Sequence, residues 1–416
     1  MKALSFICFA TAFWMLTGIV SCSSSTKAPH SNGAELSESQ SGIKLAENVV
    51  VGAERMDLLV PKLAGKRIGL VVNHSSLVGE THLLDSLLNL GKNVVKIFAL
   101  EHGIRGEADA GELIDDSRDA QTGLPIISLY GTEKKPTDDH MSDLDVVLFD
   151  IQDVGVRFYT YISSLHYIME AAAENGVGIV VTDRPNPNGF YVDGPLLQPG
   201  FESFVGVHPV PVVHGMTVGE YAKMIKGEGW IKSSEDLELM VVPCLNYDHS
   251  MTYDLPVPPS PNLPNLRAVL LYPSLCFFEG TEVSVGRGTN LQFQLIGSPF
   301  LSSGDTTFIP ESMPGATNPP FLGKECHGYS FTHLHWSEIA QNGQLDLQPL
   351  IRMFNEFPTE KSFFLRNNFF DRLAGTDRLR QQIREGRTEE QIRAEWQRDL
   401  HHFLEIREKY LLYDDF

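Results

Sequence analysis

From residue 60 onward, short apolar runs alternate with stretches whose apolar residues recur every three or four positions. The run from Arg67 to Val72 predicts a strand, followed by a polar loop, Asn73-His74-Ser75-Ser76. Leu83, Leu84, Leu87, Leu88 and Leu90 share a helical face that Gly91 ends. Val94, Val95, Ile97, Phe98 and Leu100 are almost continuous, as in a strand buried on both faces. Asp145 to Asp150 and Val177 to Thr182 predict two more strands. Between them Ile162, Leu165, Ile168, Met169 and Ala172 fall on one helical face, stopped by Asn175-Gly176. Strands alternating with helices imply a parallel sheet covered on both faces. The expected fold class is α/β, with a Rossmann-like parallel-sheet domain over residues 45–205. A smaller C-terminal α/β (α+β) domain over residues 206–416 is expected to complete a cleft.

The second half reads less regularly. Thr217 with Glu220 three residues on forms a capping box, and Thr388 with Gln391 forms another. Pro256 to Pro264 is Pro-dense and predicts an extended crossing. Val269, Leu270 and Leu271 predict a short strand. The stretch Phe277 to Asn290 holds two acids, Arg287 and several glycines, a composition that lets backbone approach a ligand. Ile392, Trp396, Phe403 and Ile406 have helical spacing and predict a core face.

The N-terminus changes the picture of where the chain works. Lys2 precedes an apolar stretch ending in Ile19-Val20-Ser21-Cys22, which resembles a bacterial lipobox. Residues 1–22 therefore read as a lipoprotein signal segment with Cys22 lipidated. A plain cleaved signal or a single membrane anchor is the other reading. Residues 23–44, Ser-rich at first, read as a disordered tether. The expected location is the bacterial cell envelope, with the protein exported, lipid-anchored and facing the periplasm or outside. The remaining length, about 370 residues, fits two domains.

Charge and cysteines remove several classes. The formal net charge is −20, which argues against nucleic acid and against a polybasic membrane contact, leaving the lipid as the membrane link. Past Cys22 only Cys244, Cys276 and Cys326 remain, with no CxxC spacing, so no zinc signature or disulfide framework is visible. No GxGxxG, P-loop, GxSxG or HExxH is present. No cofactor and no metal is expected.

What remains is side-chain chemistry at strand ends. Open α/β sheets place ligands outside the carboxyl ends of their strands. Here those ends carry Asn73 and His74; Glu101, His102 and Arg105; Asp150, Gln152, Asp153, Arg157 and Tyr159; and Asp183, Arg184 and Asn186. His214, Asn262, Glu282 and Arg287 from the second half join them as candidate ligand contacts. Hydrogen-bonding or structural roles are expected for most of this set. Such a crevice suits a hydroxyl-rich or carboxylate-bearing ligand, and its carboxylates suit acid/base work on a glycosidic bond.

Long segments sharpen that reading. They are Leu100-Glu-His-Gly-Ile-Arg-Gly106, Phe149-Asp-Ile-Gln-Asp-Val-Gly-Val-Arg-Phe-Tyr-Thr-Tyr161, Asp183-Arg-Pro-Asn-Pro-Asn-Gly189 and Val192-Asp-Gly-Pro195. Ser260-Pro-Asn-Leu-Pro264, Glu279-Gly-Thr-Glu-Val-Ser-Val-Gly-Arg-Gly-Thr289 and Phe370-Asp-Arg-Leu-Ala-Gly-Thr-Asp377 follow in order. With these the chain resembles the peptidoglycan exo-β-N-acetylmuramidase family, the NamZ-like glycoside hydrolases, over nearly everything after residue 45. The resemblance implies release of N-acetylmuramic acid from the non-reducing end of peptidoglycan fragments, or muropeptides. It also implies a site in the cleft between the two domains, and a catalytic role for the Glu-His-Gly glutamate, here Glu101. Glu101 is expected to be the general acid/base. Asp153 is taken as the second catalytic group, with Asp150, Glu282 or the sugar's own acetamido group as alternatives. A lactyl carboxylate calls for a cation, and Arg157, Arg184 and Arg287 are the candidates, each equally suited to a salt bridge with a nearby acid. A lipid-anchored muropeptide-binding protein without catalysis is the rival from another class.

Overall fold

The central sheet is built from strands whose residues are buried on both sides. The computed structural model describes residues 42–101, 103–104, 116–131 and 133–416. The strands are β1 (Ile68–Val72), β2 (Val94–Ala99), β3 (Ser117–Arg118), β4 (Pro125–Ser128), β5 (Val146–Asp150), β6 (Gly178–Thr182) and β7 (Leu239–Val242). Their order is β7-β6-β5-β1-β2-β4-β3, parallel except for β3. The register centres on β1, where Leu70 lies opposite Ile97 on one side and Leu148 on the other. Every residue of β1, β5 and β6 is buried, which is why each reads as an unbroken apolar run.

Successive side chains point to opposite faces of a strand. Ile68, Leu70 and Val72 join one core with Leu83, Leu84 and Leu87 of helix α1 (Leu83–Asn89). Val71, Phe98, Val147 and Phe149 enter a second core with helix α2 (Tyr161–Asn175) and helix α3 (Val218–Gly227). The chain leaves α2 through Gly176, whose φ of 65° is the left-handed cap that glycine adopts most easily. Both capping boxes form. Thr217 Oγ1 accepts from the Glu220 N–H at 3.3 Å while Glu220 Oε2 accepts from the Thr217 N–H at 2.9 Å. Thr388 and Gln391 do the same at the head of helix α5 (Glu389–Arg407), which buries Ile392, Trp396 and Phe403 and half-buries Ile406 against the core.

One expected element is different. Val269, Leu270 and Leu271 lie inside helix α4 (Leu266–Leu275), not in a strand. Asn265 caps that helix by accepting from the Ala268 N–H at 3.0 Å. The helix is buried almost all round, so its apolar run lacks the periodicity that would mark it as helical. The second half contributes β7 to the central sheet, and a small antiparallel sheet with Cys326–Ser330 between Leu295–Ser298 and Thr306–Phe308. Cys244, Cys276 and Cys326 are buried free thiols.

Candidate active site

Strand β2 ends at Ala99, and the chain turns through Leu100 to Glu101, so the sheet aims the glutamate. Its Oε1 accepts from the Tyr130 hydroxyl at 2.9 Å and its Oε2 from Thr160 Oγ1 at 3.0 Å. Tyr161 donates to the Glu101 carbonyl at 3.4 Å and accepts from Asn73 Nδ2 at 3.0 Å. Buried Asn73 thus acts on Glu101 through a tyrosine. Burial, reinforced by the charge of Glu101, raises the Tyr161 phenol well above its ordinary value and keeps it a proton donor. Lys134 stands near the same carboxylate, its ammonium 3.9 Å from the Phe204 ring centroid. Burial lowers the Lys134 pKa, and the charge of Glu101 opposes that shift.

Glu101 opens onto a cleft of about 1100 Å³. Its lining includes Tyr130, Phe158, Tyr159, Thr160, Tyr161 and Phe204 from the first half of the chain, and Ser260, Asn262, Glu279, Glu282, Arg287 and residues 315–321 from the second. Aromatic rings of this kind give apolar faces to a sugar, and the acids and amides among them fix its hydroxyls. Asn262 is buried; its Nδ2 donates to the Gly315 carbonyl at 2.8 Å, while Oδ1 has no partner among the described residues. An amide N–H or a hydroxyl from a bound sugar would satisfy that oxygen.

Of the residues expected from the sequence, Glu101, Tyr159, Asn262, Glu282 and Arg287 line the cleft. His102, Arg105 and Cys22 lie outside the described residues. The others do not line it. Arg184 clasps Asp150 in a buried ion pair, Nε to Oδ1 at 2.8 Å and Nη2 to Oδ2 at 2.9 Å. Arg157 gives its Nη groups to the carbonyls of Pro195, Val210 and Leu373, its buried Nε has no partner among the described residues, and burial lowers its pKa to about 9. Gln152 ties the Asp153 and Pro185 carbonyls together, and Asn186 holds the Met216 carbonyl. Asp183 takes the Thr217 and Tyr413 hydroxyls and the Gly219 N–H. His74 bonds the Pro258 carbonyl at 2.7 Å. His214 is buried and kept neutral, its pKa driven down to about 3 by burial and then by Arg407 and Arg157. Tyr130, Thr160, Tyr161 and Glu279 also line the cleft, though none is among the candidate contacts named from the sequence. Thr160 and Tyr161 directly follow Tyr159, and Glu279 opens the Glu282–Arg287 segment; Tyr130 carries no sequence signal.

Asp153 does not line the cleft. It is 4% exposed, its Oδ2 accepts from the Gly155 N–H at 2.6 Å, and its Oδ1 has no partner among the described residues. Burial raises its pKa to about 7, against an ordinary aspartate near 3.9. The folded state therefore holds this proton more tightly than the unfolded chain. The stability it lends is complete below about pH 4 and is lost as pH rises through about 7. Asp153→Asn keeps an acceptor for Gly155. Its melting temperature should fall less than that of the wild type between pH 4 and pH 7, and parallel curves would show that Asp153 does not titrate in this range.

Comparison with known proteins agrees with the fold. Two family models match: the N-terminal region of exo-β-N-acetylmuramidase NamZ over residues 68–267, and its C-terminal region over residues 270–413. A curated Bacillus subtilis (strain 168) protein, peptidoglycan β-N-acetylmuramidase NamZ, is 39% identical over 384 residues, 86% of this chain and 90% of that protein. A crystal structure of a DUF1343 family protein from Bacteroides fragilis aligns with a TM-score of 0.82 at 46% identity, covering 89% of this chain and all of the other. A second such protein from that organism aligns with a TM-score of 0.71 at 27% identity over 88% of this chain and 99% of its own. An α/β scaffold with a carboxylate-lined cleft at the strand ends is here the scaffold of a glycoside hydrolase. The chain belongs to the exo-β-N-acetylmuramidase NamZ family.

Proposed function

We propose that the protein releases N-acetylmuramic acid from the non-reducing end of peptidoglycan fragments, with Glu101 as general acid. The observation that carries this reading is Glu101 itself, aimed by β2 into the cleft with a hydroxyl on each carboxylate oxygen. In the reaction Glu101 passes its proton to the glycosidic oxygen as the C1–O bond breaks and its electron pair moves to that oxygen. Water then bonds to C1, either directly, giving its proton to the supporting carboxylate, or after the sugar's acetamido oxygen has closed on C1, giving its proton to the Glu101 carboxylate as the acetamido oxygen leaves. Of Asp150, Asp153 and Glu282, only Glu282 lines the cleft, so the supporting carboxylate is assigned to it. The test is a long glycan chain marked at its reducing end. Free N-acetylmuramic acid should appear, about one per chain, while each marked chain loses only its terminal residue, because the next residue is N-acetylglucosamine. Internal fragments at early times would contradict exo action.

The envelope address belongs to the same reading. Lipidation at Cys22 would hold the enzyme at a membrane surface on a tether of roughly 25 Å mean reach, near soluble muropeptides. Cys22→Ala should move the protein out of the membrane fraction, or leave it unprocessed, without changing the specific activity of the purified domain. Wild-type protein found soluble, with its N-terminus cut elsewhere than before Cys22, would refute the anchor.

A further inference from the structure

The remaining question is what tells muramic acid from other N-acetylated sugars. Muramic acid carries a lactyl carboxylate, so a selective cleft must offer that anion a donor. Glu101, Glu279 and Glu282 make the cleft acidic; among the described residues Arg287 is the one cation that lines it, and Lys134, the other cation close by, lies over the Phe204 ring beside Glu101. Arg157 and Arg184, the other two arginines considered, are buried and engaged elsewhere.

Arg287 is held unusually firmly for a loop residue. It sits between Gly286 at φ 78° and Gly288 at φ 79°, both in the left-handed region. A Cβ on Gly286 would come within 2.8 Å of the Leu291 carbonyl oxygen, and one on Gly288 within 2.6 Å of that of Glu311. Only glycine fits at either place, and the turn leaves Arg287 little freedom. Its Nε donates to Glu279 Oε1 at 2.6 Å, and its guanidinium carbon lies 5.3 Å from the Phe293 ring centroid. Glu279 is steadied in turn by the Cys276 thiol at 3.6 Å from Oε2. Glu279 thus occupies the Nε side of the planar fork. The Nη1–Nη2 edge has no hydrogen-bond partner among the described residues. Two parallel N–H groups on one edge match the two oxygens of a carboxylate.

We infer that the Nη1–Nη2 edge of Arg287, fixed by Glu279 and Phe293, is the receptor for the lactyl carboxylate and sets the preference for muramic acid. This rests on the reaction proposed above, and the test separates the two. The substrates are a chromogenic β-glycoside of N-acetylmuramic acid and the same glycoside with its lactyl group converted to the neutral N-methylamide. The full chain should prefer the acid by about 10- to 100-fold in kcat/KM, the worth of hydrogen bonds to a charged group. The preference should appear mainly in KM. The double variant Glu279→Gln/Arg287→Met removes both charges, so neither is left unpaired. Its preference should shrink to about threefold or less, and Arg287→Lys should recover part of it through charge alone. A wild type that cleaves neither glycoside refutes the proposed reaction itself. A wild type that cleaves both equally well, or a folded double variant that keeps the full preference, overturns the assignment of Arg287. Should the double variant misfold, Arg287→Lys carries the test: a folded Arg287→Lys that keeps the full wild-type preference overturns the assignment.

Discussion

Glu101→Gln is expected to lower turnover on a muramic acid glycoside by about 10²- to 10⁴-fold, the usual contribution of a positioned general acid. The amide keeps the size of the side chain, and its oxygen still accepts from one of the two hydroxyls, Tyr130 or Thr160. What is lost is the proton delivered to the leaving oxygen. The loss should fall in kcat, because the sugar is held by other cleft residues, and the melting temperature should change little because Glu101 is only half-buried. A leaving group that departs without protonation bypasses the acid, so an activated aryl glycoside should lose less than a natural disaccharide. Near-wild-type turnover of the disaccharide by a folded variant would remove Glu101 from the chemistry.

The second large effect concerns stability. Arg184→Met should destabilise the protein by about 3–5 kcal/mol, because it leaves the Asp150 carboxylate buried without its counter-charge. Asp150 is fully buried and receives both the Nε and the Nη2 of Arg184, whose Nη2 also reaches the Leu77 carbonyl at 3.0 Å. Replacing both partners together, Arg184→Met with Asp150→Leu, should recover part of the loss. Chemical denaturation measures each difference. An unchanged midpoint and slope for Arg184→Met would show that the pair contributes little to folding.

That ion pair also shows where the sequence stopped being readable. Strands buried on both faces announce themselves as unbroken apolar runs, so β1, β2, β5 and β6 were legible in outline. Helix α4 was not: with apolar residues nearly all round, Val269 to Leu271 carries no 3.6-residue signal, and the Asn265 cap was the only cue to helix. At the site the same contrast recurs. Glu101 at a strand end and Arg287 between glycines were visible because local backbone demands placed them. Asp150, Arg184, Asp183 and Arg157 were equally conspicuous at strand ends or just beyond, yet they spend their charges on one another and on buried carbonyls and hydroxyls. Residue type shows what a side chain offers, but the partner that accepts it comes from elsewhere in the chain. Tyr130 illustrates the reverse: a lone tyrosine after a short strand has no pattern, and only the fold brings its hydroxyl to Glu101.

The central claim is that this cleft hydrolyses the bond beyond a terminal muramic acid. The most direct measurement is to incubate the full chain with the disaccharide of N-acetylmuramic acid β-linked to N-acetylglucosamine, and to quantify both sugars over time. The account predicts that free N-acetylmuramic acid and N-acetylglucosamine appear in equal amounts with wild-type protein and are almost absent with Glu101→Gln. Disaccharide that binds but is recovered intact would contradict it, and would leave a cleft that captures muropeptides without cutting them.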